Sequence, residues 1–537
     1  MQISIPFNQE STVTQIRTSD SEYWTSSSFK ITDIDIENLY QYLIDTEEPQ
    51  QLTTLVRAII EARIEAEKLE FQRRLEGRTV YQPSLSYSIG DQIIFPSMQF
   101  AHGEVAGIRS AQNPQYGEFK AVEVSFAVGC VKEFASELEI DHPLNIGDGL
   151  PSLQTDAPDV EKLMAFHEDI VAEALIHRLD DHEEFVRLAG QWFVKSLFSE
   201  VNVGHLHLAE AILDMNGGGP LTTPEILVDL DMDPGVKPSV QEFSLNYHLQ
   251  QDERFVEVAP PGRVVWFLHR LTPSDVQSVP ERLQYEALSF DRALFGSQLL
   301  QIEREVDDEW SGIESADLKQ TVKITITYPH LASGTLPLSS RVQPLFPLGV
   351  SQTQLVTLID DMSGQEFTVW VAGQNRYITG LADWFERNSI PVGGYVNLTP
   401  TDQAGRVIIG CDRRRKERKE YVRLASIEDG RIKFELQKKN IGCDYDDLII
   451  VGTDQVAALD AIYRRSSQRP INELLAEMFP DLTRESTQNS VHAKTLYSAI
   501  NMFCRAPSGV IFAELVRHPA FISVGDQYWQ FDASRMQ

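Results

Sequence analysis

The densest run of a single chemistry in this chain is cationic. "CDRRRKERKEYVR", Cys411 to Arg423, sets Arg413, Arg414, Arg415, Lys416, Arg418, Lys419 and Arg423 against only Asp412, Glu417 and Glu420. Guanidinium forks match phosphate oxygens two at a time, and Tyr421 offers an aromatic face on which a base can stack. A solvated strand edge kept soluble by charge is the plainer account of such a run. The surroundings sharpen the choice, because the 537 residues carry a formal charge of −32. A uniformly acidic protein repels phosphate backbones, so any nucleic-acid contact must be local, and this strip is the local reversal of sign.

Catalytic patterns are missing. GxSxG, GxxxxGK[ST], GxGxxG behind a strand and HExxH do not occur. Pro158-Asp159 and Glu161-Lys162 stand too close together to straddle a metal as a nuclease needs. His167, His177 and His182 are spaced by ten and five, not by the four that puts two ligands on one helix face. Asp360-Asp361 and Asp446-Asp447 fall at strand boundaries, where Asp favours turns. Cys130, Cys411, Cys443 and Cys504 are far apart and make no CxxC pair, which fits buried free thiols. The expectation is a non-enzyme with no metal and no cofactor.

The elements that must hold the strip follow from periodicity. A chain of this length exceeds one core, and α+β multidomain architecture is expected. Residues 1–31, rich in Ser, Thr and Gln, read as a flexible arm, and 32–78 as a helical hairpin with Leu52, Leu55, Val56, Ile59, Ile60 and Ile64 on one face. Short strands punctuated by Gly90-Asp91, Asn113-Pro114 and Tyr116-Gly117 make 79–145 a small SH3/Tudor-like barrel. A linker at 146–159 leads to 160–280, an acidic helical stretch to about Phe198 and then three helices and a hairpin. Residues 318–464 alternate as strands around one helix and read as a β-rich, pseudobarrel-like domain.

The end of the chain, 465–537, repeats the three helices and hairpin. "FVEVAPPGRVVWF" and "FISVGDQYWQF" align Phe255 with Phe521, Val258 with Val524 and Trp266 with Trp529, the first turn being three residues longer. That order is the order of a winged helix, and the six residues are expected to form the wing cores. Residues 200–271 hold eleven carboxylates against four Lys or Arg. Lys237 and Glu242 are the charges of the first presumed recognition helix, and Lys494 that of the second, so these modules suit protein contact or spacing better than DNA.

"GGPLTTPEIL" before one helix and "ERFVEVAPPGRVVWFL" after another resemble the HARE-HTH family, found in the delta subunit of RNA polymerase and in chromatin and restriction proteins. The C-terminal copy lacks the L-T-x-x-E-I opening. "YSIGDQIIFP" followed by "GEVAGI" resembles the CarD-type Tudor domain that contacts RNA polymerase. These resemblances imply a bacterial, transcription-associated interaction factor with a protein partner such as RNA polymerase, and nucleic acid held by 413–423. A specificity or regulatory component of a restriction or antiviral defence system is the alternative, and a scaffold without nucleic acid is the third. No apolar run reaches a membrane span and the start is polar, so the expected location is the cytoplasm.

Overall fold

The computed structural model describes residues 18, 21–25, 29–75, 79–95, 98, 101–113, 117–126, 130–139, 159–311, 320–349, 351–428, 430–484 and 488–536, with the side chains of 71, 72, 74, 75 and 414–418 excepted. It is mixed α+β with several sheets, one of them a curled half-barrel. The chain divides into two units, Met1–Glu200 with Asp233–Phe243, and Val201–Met232 with Ser244–Gln537.

In the first unit, Thr32 and Asp35 form a capping box that starts the helix Asp33–Thr46. Asp35 also receives the fork of Arg63 at 2.9 and 2.6 Å, from the next helix, Leu52–Leu75. The apolar face expected there is buried, from Leu55 to Ile64. The arm differs from expectation where it is described. Ser21–Thr25 forms a helical turn that buries Trp24, whose indole N–H donates to the Thr18 carbonyl at 2.9 Å. Trp24 and Phe29 are large apolar groups that a polar average conceals. Residues 1–17 lie outside the described residues, as does the expected linker apart from Asp159.

Five strands follow in the order Thr79–Val80, Gln92–Phe95, Ala101–Asn113, Gly117–Phe126 and Val131–Ser136, the first pair parallel and the rest antiparallel. Tyr81, Phe95, Val105, Val122 and Val124 form their core. The stretch expected to be helical to Phe198 ends its helix at Asp180. Phe185–Leu188 and Gln191–Val194 then make a hairpin on Ala189-Gly190, both at positive φ, whose second strand pairs with Gln50–Gln51. Strand burial of Phe185, Trp192, Phe193 and Val194 outweighs the helical spacing seen upstream. Of the cysteines, three are buried as expected, whereas Cys130 is exposed.

One module occurs twice, its second copy and all but residues 233–243 of its first belonging to the second unit. Helices Val203–Met215, Thr223–Leu227 and Pro238–Gln251 accompany strands Leu221–Thr222, Phe255–Glu257 and Val265–Leu268. Helices Ile471–Thr483, Ala493–Phe503 and Ser508–Arg517 accompany strands Val491–His492, Phe521–Gly525 and Tyr528–Phe531. In both, the last strand lies between the other two. The registers agree as well: Trp266 faces Glu257 and Leu221, and Trp529 faces Ser523 and Val491. Phe255, Trp266, Phe521 and Trp529 are buried, the first two in one core and the last two in another.

Two positions separate the copies. The Trp266 indole N–H donates to Asn246 at 2.9 Å and to Thr223 at 3.2 Å. By register, Ala493 and Phe512 occupy those places in the second copy, and the buried Trp529 indole N–H has no partner among the described residues. Val258 and Val524 also part company. Val258 is buried against Phe267 and Trp370, whereas Val524 is 46% exposed, beside the register shift at Ser523/Gly525. The expectation that Val524 is a core residue is therefore corrected, and Val258 belongs to a contact with the large sheet rather than to its own module's core.

Gly219, just before the strand Leu221–Thr222, shows how closely that segment packs on the first hairpin. Its φ is +116°, and a Cβ there would sit 2.6 Å from the Trp266 carbonyl oxygen. Gly219→Ala is expected to lower stability by about 3 kcal/mol, and Gly217→Ala, at φ +69° with open space around it, by about 1 kcal/mol. Urea unfolding of the two variants checks this ranking.

Between the modules lies a seven-stranded sheet, ordered Val322–Thr325, Tyr395–Pro400, Arg406–Cys411, Thr353–Asp360, Glu366–Ala372, Tyr377–Thr379 and Thr335–Pro337. Only Thr353–Asp360 and Arg406–Cys411 pair in parallel. Ile324, Leu358, Val369, Leu398, Ile409 and Trp384 fill its buried face. After Cys411 the chain leaves this sheet as a separate two-stranded ribbon, Arg413–Glu428 against Arg431–Cys443.

Candidate nucleic-acid interface

The cationic strip is the first strand of that ribbon, 16 residues long, and its antiparallel partner of 13 residues is cationic too. Residues 413–443 hold eleven Lys or Arg and five Asp or Glu, a net of +6 within a chain of −32. The sequence reading missed Arg431, Lys433, Lys438 and Lys439. The signal for them was present: an Asp-Gly turn at 429–430 between two β-prone runs marks a hairpin, which brings the second run beside the first.

Alternation sorts the ribbon's side chains. Val422, Leu424 and Ile441 are buried on one face, packed by Tyr445 and Val451. On the other face, toward the turn, Ala425, Ile432 and Phe434 join the core of the C-terminal module. Nearer the large sheet that same face is open. Lys419, Lys438 and Asn440 are exposed, Tyr421 is 64% exposed and Leu436 45%. Tyr421 stands directly opposite Lys438, whose Nζ lies 4.8 Å from the ring centroid.

Neighbouring charges are spoken for. Lys439 Nζ reaches Asp454 at 2.7 Å, Lys433 pairs with Glu428, and Glu420 accepts from Tyr445 at 2.8 Å. Asp412 is held by Lys323 at 2.8 Å and Asn397 at 2.7 Å, and Arg413 donates to Asn388. Lys419 and Lys438 carry no ion pair among the described residues. Arg423 is half-buried on the open face. The side chains of Arg414, Arg415, Lys416 and Arg418 lie outside the described residues; their backbone continues the strand, with a register shift between Arg413 and Arg418.

Lys494 and Lys237, the lysines of the two presumed recognition helices, are both engaged within the protein, Lys494 buried and Lys237 at the surface. Lys494 is mostly buried and bridges Glu305 at 2.6 Å and Asp446 at 2.8 Å. Ten of the eleven residues of its helix, Ala493–Phe503, are buried, so that helix has no face to lay on a duplex. Lys237 donates to the Thr46 carbonyl at 2.8 Å and lies 3.3 Å from Glu48. Burial leaves Glu242 raised above the ordinary carboxylate range.

A buried charge network that the sequence reading did not anticipate lies in the second unit. Arg505, 1% exposed, holds Asp308 at 2.8 Å and Glu309 at 2.6 Å. Tyr497 donates to Asp308 at 2.6 Å, and His330 bridges Glu309 at 3.1 Å and Thr335 at 2.9 Å. Burial pushes Glu309 up, but Arg505 and His330 outweigh it and hold the group well below its usual range. Burial raises the Cys504 thiol to about 12, which leaves it a neutral packing group. Asp360 caps its turn, accepting from Ser363 N at 2.7 Å and Trp384 Nε1 at 2.8 Å, and Asp446 accepts from Leu448 N at 3.0 Å. These acids serve the fold. The signal for the network was a lone Arg inside the apolar "NMFCRAPSGVIF", which demands a buried acid somewhere else in the chain.

Asp307 is the network's unsettled member. Burial pushes it up to about 6, Ser339 donates to one oxygen at 2.8 Å, and the other has no partner among the described residues. The folded chain thus holds this proton more tightly than the unfolded chain. As pH falls from 7 towards 4, folded stability gains up to about 3 kcal/mol from this group. Asp307→Asn keeps an acceptor for Ser339, so the variant is expected to match or exceed the parent at pH 8 and to lose the gain on acidification. Unfolding midpoints at pH 5, 6, 7 and 8 measure the difference.

No protein-family model, curated protein or solved structure matches the chain. Among the described residues no group of three or more His, Cys, Asp or Glu is placed to hold a metal ion, and no single helix is long and apolar enough to cross a membrane.

Proposed function

We propose that this chain is a non-catalytic interaction factor that grips nucleic acid through the ribbon 413–443 and uses its other modules to dock protein and to hold that ribbon in place. The carrying observation is the open ribbon face, where Lys419 and Lys438 have no carboxylate partner among the described residues, beside the exposed Tyr421. In a molecule of this net charge, exposed cations on both strands are the feature a phosphate backbone would find. The duplicated module, with its three helices and hairpin, is assigned to the winged-helix class, and the five-stranded sheet at 79–136 to the SH3/Tudor class. With Lys237 held against Thr46 and Glu48 and Lys494 buried between Glu305 and Asp446, both module copies act as architecture or protein contacts. The transcription setting, with RNA polymerase as the protein partner, rests on the HARE-HTH and CarD-type resemblances.

The test is a salt titration of full-length protein on mixed-sequence DNA. Binding at low salt that falls linearly in log–log form, with a slope of about −0.7 to −0.9 per phosphate contacted, is expected. Absence of binding even at low salt overturns the proposal in favour of a pure scaffold. The polymerase assignment is checked separately, by recovery of polymerase on the tagged full-length chain from a bacterial extract.

A further inference from the structure

We infer that the ribbon's ligand is single-stranded nucleic acid, with a base stacked on Tyr421. This rests on the nucleic-acid reading above and narrows it. The centre of the open face is not a cation but an aromatic ring, and diagonal to it lies Leu436, 45% exposed. Two apolar groups held in water beside Lys419 and Lys438 form a platform for the flat faces of bases. Duplex DNA hides those faces in its own stack and offers only base edges in its grooves. Single strands expose them, and aromatic stacking with flanking cations is how such strands are bound without regard to sequence.

Four further features agree. Lys438 Nζ lies over the Tyr421 ring, 4.8 Å from its centroid, so a base that stacks there moves the ammonium to the flank, where the adjoining phosphate meets it. Residues on one strand face recur about every 6.6 Å, and Lys419, Tyr421 and Arg423 therefore form a track rather than a point. The face is also short. Toward the turn, Ala425, Ile432 and Phe434 are already covered by the C-terminal core, which limits the track to the width of a few nucleotides. Finally, a duplex carries one charge per about 1.7 Å of axis, twice that of each strand alone, so the −32 background repels a duplex more strongly.

Anisotropy titrations of the full chain with a labelled mixed-sequence 12-mer, single-stranded and as duplex, at one low salt concentration, test this. Single strand is expected to bind at least 10-fold tighter than duplex. Tyr421→Ala is expected to weaken single-strand binding by roughly 5- to 100-fold, while Tyr421→Phe retains it and duplex binding stays unchanged. Equal or tighter duplex binding, or no effect of Tyr421→Ala on the single strand, overturns the inference and leaves the nucleic-acid reading standing. Failure of both forms to bind removes that reading as well.

Discussion

Arg505→Met is expected to destabilise the second unit by about 4 kcal/mol. The guanidinium is 1% exposed and faces two carboxylates, Asp308 and Glu309, that are themselves shut from water. Methionine fills most of the volume but leaves both acids without their cation, and an unpaired buried charge is among the costliest defects a core can hold. Asn501 and the Ala506 carbonyl lose a donor in the same step, at 2.9 and 3.0 Å. The loss is electrostatic, so it responds to proton supply. At pH 5 the stranded acids can neutralise, and the gap between variant and parent narrows. Adding Glu309→Gln to Arg505→Met recovers part of the stability at pH 7. Guanidinium unfolding followed by circular dichroism at both pH values decides. A variant within 1 kcal/mol of the parent at pH 7 rules out this network as a structural clamp.

Trp266→Ala and Trp529→Ala are each expected to cost 3 kcal/mol or more, from roughly equal losses of buried ring, and Trp266→Ala to cost about 1 to 2 kcal/mol more. The excess has a specific source. Trp266 donates to Asn246 and Thr223, which sit in the buried core of the first module, and its removal leaves their oxygens short of a donor. Trp529 donates to no described residue, since Ala493 and Phe512 stand at the matching positions. Trp→Phe isolates the hydrogen bond from the ring: at 266 the loss is about 2 kcal/mol, at 529 about half that or less. Equal losses at the two sites for the Phe variants contradict the account of how the copies diverged.

What the sequence disclosed about this fold depended on how far each contact reaches along the chain. The two hairpins were legible because Phe, Trp and the turn between them are neighbours within about a dozen residues, and the strand registers then agree position by position. Val258 and Val524 looked equivalent by the same spacing, yet burial of Val258 is supplied by Trp370, more than a hundred residues away, and nothing equivalent covers Val524. The hairpin Phe185–Leu188 with Gln191–Val194 was masked by the acidic helical spacing before it, although Ala189-Gly190 marks its turn. The parallel pairing of Thr353–Asp360 with Arg406–Cys411 crosses some fifty residues and leaves no local trace. The candidate interface was half visible. Charge density located its first strand and Tyr421 within it, while the open face and the second cationic strand came from pairing that density alone does not encode.

The central claim is that affinity for polyanions is confined to one ribbon. Its most direct measurement is the salt concentration at which full-length protein leaves a heparin column, compared between parent and a variant carrying Arg413→Ser, Arg414→Ser, Arg415→Ser, Lys416→Ser, Arg418→Ser, Lys419→Ser and Arg423→Ser together with Arg431→Ser and Lys438→Ser on the second strand, with unchanged circular dichroism as the folding control. The parent is predicted to be retained and the variant to pass in the flow-through. Equal retention of both places the binding surface elsewhere and contradicts the claim.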